Sequence, residues 1–164
     1  MMDAQQNGND VEIQQLKLQP ILSIRKTIRI DQLFAEMGER IPALWSYVEH
    51  CGAQPAGPLF VRYHTFGGNE TDLEIGIPVV EPVAGEDRIG AGELPGGPVV
   101  TTWHMGPHDK LGDAYARMAA WLKAHDREPD SAAWEVYYWI DSGQVDSTQI
   151  DPSTWRTQLI QPFK

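Results

Sequence analysis

Apolar positions change their period along the chain, and the changes divide it into elements. Over residues 11–30 they alternate imperfectly, at Val11, Ile13, Leu16, Leu18, Leu22, Ile24, Ile28 and Ile30. That is the pattern of a long strand with one buried face, and Pro20 within it predicts a bulge or break on a sheet edge. Asp31 is a candidate N-cap for a helix in which Leu33, Phe34, Met37, Ile41, Leu44, Trp45 and Val48 recur at helical spacing. Gly52 supplies the stop, and Pro42 is expected to kink or divide this helix. Residues 59–66 and 71–80 are extended runs separated by Gly67, Gly68, Asn69 and Glu70, the signature of a hairpin. The Gly- and Pro-rich stretch 82–98 reads as a connection or a bulged strand.

The same series then recurs. Residues 99–105 read as a strand ending at Gly106 and Pro107, and His108 or Asp109 caps a helix carrying Leu111, Tyr115, Met118, Ala119 and Leu122 on one side. That helix ends before Pro129. Residues 134–140 and 155–163 read as strands joined by a long polar connection. Strand, helix, strand, strand therefore occurs twice, in units of about 11–80 and 90–164. PLFVRYH from Pro58 can be laid over AAWEVYY from Ala132, and GIPV from Gly76 over IQPF from Ile160. The expected fold class is α+β: duplicated βαββ units with pseudo-two-fold symmetry, an antiparallel sheet with helices on one face and a ligand cleft on the other. Residues 1–10 are polar, without apolar period, and are expected to form a disordered lead-in to a single domain, 11–164.

Alternation within strands nominates residues for the cleft. Leu73, Ile75, Ile77 and Val79 suit the helix-covered face, which turns Glu74 and Gly76 the other way. Trp134, Val136, Tyr138 and Ile140 suit the core, which leaves Glu135, Tyr137 and Trp139 on the open face. Through the repeat, Val61 and Tyr63 are equivalent to Glu135 and Tyr137. Trp103 and His108 are added as rim candidates. An aromatic wall around Glu135 and Glu74 would desolvate them, and a desolvated carboxylate either protonates or takes a cationic partner.

Composition narrows the chemistry. With 164 residues, 41% of them hydrophobic, the chain suits one core. A net charge of −10 disfavours direct nucleic-acid binding, and no apolar run is long enough for a membrane span. A soluble, cytoplasmic protein is expected. The single cysteine precludes an intramolecular disulfide, and His104 and His108, with Gly106 and Pro107 between them, are no helical metal pair. No metal or cofactor is expected.

GPLFVRYH, DLEIGIPV, ELPGGPVV leading into HMGPHDKLGDAYARMAAWL, and WEVYYW follow one another in this order over nearly the whole chain. In this the chain resembles the GyrI-like (gyrase-inhibitor-like) small-molecule-binding domains of SOUL-like fold, which also serve as effector-binding domains of AraC- and MerR-type regulators. The resemblance implies a ligand cleft between the two halves, with Glu135 of WEVY at its floor contacting cationic aromatic ligands and Glu74 at the acidic position of DLEIG. His108 departs from the Tyr usual after that GP. The leading function is a stand-alone binder of small, hydrophobic organic ligands, cations included. The alternative is a hydrolase that opens strained cyclopropane rings of DNA-alkylating natural products, with Glu135 and Glu74 as catalytic pair. A third reading is a protein partner, inhibited as gyrase is.

Overall fold

A computed structural model describes residues 10–138, 153 and 155–164 of the chain. The lead-in up to residue 9, the connection 141–152 and the expected cleft residue Trp139 lie outside the described residues.

The apolar run 11–30 forms two strands, β1 (Glu12–Leu16) and β2 (Gln19–Arg29), which go to different places. The break falls at Lys17 and Leu18 rather than at Pro20, which lies in β2 opposite Glu93. Helix α1 (Leu33–Cys51) follows, then β3 (Phe60–Gly67), β4 (Glu70–Pro78), β5 (Gly90–Leu94), β6 (Gly97–Met105), α2 (Leu111–Ala124), β7 (Trp134–Tyr137) and β8 (Arg156–Pro162). Pro42 is accommodated within a continuous α1, which ends at Gly52 with φ 75°, the left-handed conformation that glycine adopts without steric cost. Neither Asp31 nor Asp109 caps its helix. Both helices are entered instead through 3₁₀ turns, Ile30–Gln32 and His108–Lys110, and Asp31 is held by Arg29.

The eight strands form one antiparallel sheet in the order β1-β6-β8-β7-β3-β4-β2-β5. That order is symmetric about the β7–β3 junction, as two βαββ units related by a pseudo-two-fold axis require. Each unit's leading strand crosses over: β1 pairs with β6 of the second half, and β5 with β2 of the first. The crossing segments touch, since a Cβ on Gly96 would lie 2.8 Å from the backbone nitrogen of Leu18. The sheet curls into a half-barrel, and both of its faces are packed.

On the helix side, Ile41, Leu44 and Val48 of α1 cover Leu22, Ile24, Ile75 and Ile77, and Ala114, Met118 and Leu122 of α2 cover Val100 and Leu159. On the other side Ile21, Phe60, Val99, Trp134, Val136 and Ile160 close a second core. The face away from the helices is therefore filled rather than open as a groove. Helix α1 packs on β2 and β4, and α2 on β6 and β8. The central strands β3 and β7 lie between the two helices, and there the cavity forms.

Gly76 shows how tightly the far core is packed. A Cβ at this position would overlap the Phe60 ring, at 2.6 Å from Cε1, and lie 3.1 Å from the Leu22 carbonyl oxygen. Phe60 is itself fully buried and has little freedom to retreat. Gly76→Val is expected to destabilise the fold by about 1–3 kcal/mol, read as a lowered denaturation midpoint with an unchanged slope.

Candidate functional site

A cavity of about 1010 Å³ opens between the N-terminal halves of α1 and α2. The symmetry of the fold supplies its walls: Leu33, Phe34 and Met37 come from the first turns of α1, and Leu111, Gly112 and Tyr115 from the corresponding turns of α2. Its floor is the uncovered strip of sheet, with Tyr63 from β3 and Glu135 and Tyr137 from β7, and Trp155 and His108 close one side. Phe34 at the mouth is 79% exposed.

Register places Glu135 there. Val61 pairs with Ile75 on one side and with Glu135 on the other, so these three side chains share the helix-facing surface. Glu135 is only 3% exposed. Its two carboxylate oxygens each accept one phenol hydrogen bond: Tyr115 Oη donates to Oε2 at 2.5 Å, and Tyr137 Oη donates to Oε1 at 2.8 Å. Burial raises the Glu135 carboxyl above its ordinary pKa, against the opposing effect of the two phenols and of His104. Burial, reinforced by the Glu135 charge, also raises Tyr63, Tyr115 and Tyr137, so all three phenols stay protonated. Among the described residues no basic side chain forms an ion pair with Glu135.

His108 contacts the rings of Tyr137 and Trp155 at 5.1 and 5.3 Å between centroids, and its Nε2 lies 2.9 Å from Thr157 Oγ1. Burial, helped by nearby His104, lowers its pKa to about 4, so the imidazole is neutral near pH 7. Asp31 is the other carboxylate on the cavity lining, at the lip, where Arg29 holds it in a bidentate pair.

Of the residues nominated by sequence, Glu135, Tyr137, Tyr63 and His108 meet at this cavity. The β7 alternation is opposite to the one expected: Trp134 and Val136 enter the far core, and Glu135 and Tyr137 face the helices. Val61 is buried beneath the cavity in the α1 core. Glu74 pairs laterally with Arg25 and Arg62 and so lies on the face opposite Glu135. There it accepts a hydrogen bond from Ser23 Oγ at 2.6 Å and meets His64 Nε2 at 2.7 Å. Glu74 and Glu135 do not form a pair across one cleft. Trp103 also faces away from the cavity, its ring tilted at 50° against Tyr138 with centroids 5.0 Å apart and under the Arg156 guanidinium. The residues that sequence reasoning left out are Tyr115, Trp155 and the α1 set. Leu33 and Leu111 both open their helices, so the repeat sets Met37 against Tyr115, and a buried phenol on a helix signals that a partner is near.

Among the described residues no group of His, Cys, Asp and Glu is arranged to hold a metal, and no helix is long and apolar enough to cross a membrane.

Known structures share this fold. The effector-binding C-terminal domain of EcmrR superposes with a TM-score of 0.78 at 18% identity, over 94% of this chain and 97% of that one. In the EcmrR–DNA complex the match has the same TM-score at 20% identity but spans only 57% of the EcmrR chain. A hydrolase from Listeria innocua matches at TM-score 0.64 and 14% identity, over 95% of this chain and 92% of that one. SAV2435, solved bound to tetraphenylphosphonium, matches at 0.62 and 13%, over 94% of each chain. No curated protein sequence matches the chain. The sequence profile of the GyrI-like small molecule binding domain matches residues 9–156. With nine-tenths of its length under that profile and the matching half-barrel around a cleft, the chain belongs to the GyrI-like small-molecule-binding domain family.

Proposed function

We propose that the cleft binds a lipophilic organic cation whose charge is matched by Glu135. One observation carries this reading: a buried carboxylate at the floor of an aromatic cavity has two neutral phenols as partners and, among the described residues, no ion pair. Two phenol oxygens at hydrogen-bond distance can both donate to an ionised, acceptor-only carboxylate. Desolvation opposes that form. A ligand cation restores the missing charge, and its apolar body gains about 25 cal/mol per Å² of surface taken from water against Met37, Leu111, Tyr63 and Trp155. Aromatic faces add cation–π attraction. A neutral His108 adds no competing positive charge to the cavity. The structural relative SAV2435 with its tetraphenylphosphonium supports the ligand class by likeness of fold.

The cyclopropane hydrolase reading requires two carboxylates on one ligand. With Glu74 across the sheet, Glu135 is the single carboxylate on the cavity floor among the described residues, and binding is the function the geometry favours. The same cavity bound to a ligand would not itself contact DNA. The cytoplasm is the compartment in which such a binder would intercept a ligand.

Calorimetric titration with tetraphenylphosphonium is expected to show one site, and Glu135→Gln is expected to weaken it by roughly tenfold or more. Triphenylphosphine oxide, aromatic but uncharged, is expected to lose less than about twofold in the same variant. Equal losses for cation and neutral compound would remove Glu135 from the role proposed for it.

The pH dependence has a definite sign. Cation binding needs ionised Glu135, whose pKa is raised, so affinity falls on acidification from a higher pH than an ordinary carboxylate would give. Protonation of His108, near pH 4, weakens it further. Tetraphenylphosphonium affinity measured from pH 8 down to pH 4 is expected to decline in the wild type and to be flat above about pH 5 in Glu135→Gln. Stability follows His108 in the opposite protonation sense to a salt-bridged histidine. Its folded pKa lies below the usual 6.5, so its contribution is complete above that value and is lost as pH falls toward about 4. His108→Phe is expected to lessen this acid-side loss in thermal melts.

A further inference from the structure

A second cavity, of about 550 Å³, lies on the far side of Tyr115 from the cleft. The side chains of Tyr115, Met118 and Leu122, one face of α2, give it an apolar wall, and Lys123, Asp126 and Arg127 stand at its rim. In this acidic protein most arginines are already committed. Arg25, Arg29, Arg40 and Arg88 are in ion pairs, and Arg62 and Arg117 donate to backbone carbonyls. Arg127 has only the face of Phe163 beneath it, at 5.9 Å, and among the described residues neither it nor Lys123 forms an ion pair or a side-chain hydrogen bond. At this helix end the carbonyls of Trp121, Leu122 and Lys123 accept hydrogen bonds from the amides of His125, Asp126 and Arg127. Of the charged side chains lining the cavity, two are cations and one, Asp126, is an anion.

We propose that this cavity is a second binding site, for an amphipathic monoanion: an aryl or alkyl carboxylate whose apolar part packs on Met118 and Leu122 and whose carboxylate is met by Lys123 and Arg127. The planar guanidinium suits a carboxylate's two oxygens, and the exposed ammonium adds a point charge. Tyr115 lines both cavities, and its hydroxyl is one of the two that hold Glu135. The two sites thus take ligands of opposite charge in adjacent volumes separated by one ring. The second site does not rest on the cation-binding reading of the first.

The test is calorimetric titration of the full chain with 2-naphthoate, alone and after saturation with tetraphenylphosphonium, with 2-naphthamide as the uncharged control. 2-Naphthoate is expected to bind in both conditions and the amide roughly tenfold more weakly. Lys123→Glu with Arg127→Glu is expected to weaken 2-naphthoate by about tenfold or more, as is the milder Lys123→Gln with Arg127→Gln to a lesser degree, with circular dichroism spectra unchanged. Glu135→Gln is expected to leave 2-naphthoate affinity within about twofold. Displacement of 2-naphthoate by tetraphenylphosphonium, equal binding of the amide, no detectable binding, or full affinity in both rim variants would each overturn the second site. Failure of tetraphenylphosphonium to bind, with 2-naphthoate behaving as expected, would count against the cation cleft alone.

Discussion

The pairing of β3 with β7 is the constraint on which the rest of the structure depends. Phe60 with Val136, Val61 with Glu135, and Arg62 with Trp134 are the residue pairs that join the two halves of the sheet. Helix α1 covers β2 and β4 and α2 covers β6 and β8, so the junction of β3 and β7 lies in the gap between the two helices. The same register decides what the strip displays. Because Val61 is fixed against Ile75 in the α1 core, its other neighbour, Glu135, must face the space between the helices. A shift of one residue would turn Trp134 and Val136 toward the helices and the carboxylate into the far core, where Phe60 and Ile160 offer it no donor. Fold and site are thus fixed by one pairing.

Much of the architecture is legible in the sequence because the duplication is written twice. The helical periods after Asp31 and after Asp109, the hairpin through Gly67 and Gly68, and the stop at Gly52 are local signals, and the structure places elements at each. The crossing of β1 and β5 to opposite halves is not local. Nothing in residues 11–30 distinguishes one long strand from two that part company at Lys17, since the alternation carries on through the break. The short strand Gly90–Leu94 has too few side chains to show a period.

The cleft was harder to read than the fold. In WEVYYW both alternating sets contain aromatic rings, so hydrophobicity cannot choose between the faces of β7, and assigning Trp134 to the helix-covered core inverts the strand. The repeat carries the better information: Val61 is the equivalent of Glu135, and an apolar residue in a strand flanked by Ile75 belongs under a helix. Glu135 then has to face the helices too, in a gap that only the tertiary arrangement of α1 and α2 reveals. Tyr115 and Met37 line that gap on side chains whose spacing reads as ordinary core. His108 is legible as a departure from pattern, but its loss of charge comes from burial against Tyr137 and Trp155, which are distant in sequence.

Two buried glutamates on one sheet show why charge alone does not mark a site. Glu74 and Glu135 both lie in strands at the centre of the fold, both are nearly inaccessible, and each accepts two hydrogen bonds through its side chain. Glu74 has His64 against one oxygen, and Arg25 and Arg62 directly opposite on the neighbouring strands, so protein groups compensate its charge. Among the described residues Glu135 has two phenols as hydrogen-bond partners and no ion pair. Replacing water by two neutral donors recovers part of the hydration of a carboxylate and does not compensate its charge. A deficit of that kind is costly, and in the proposed function a cation of the right shape would remove it. Glu74, satisfied from within, has the opposite character: it stabilises the sheet and presents nothing for a ligand to complete.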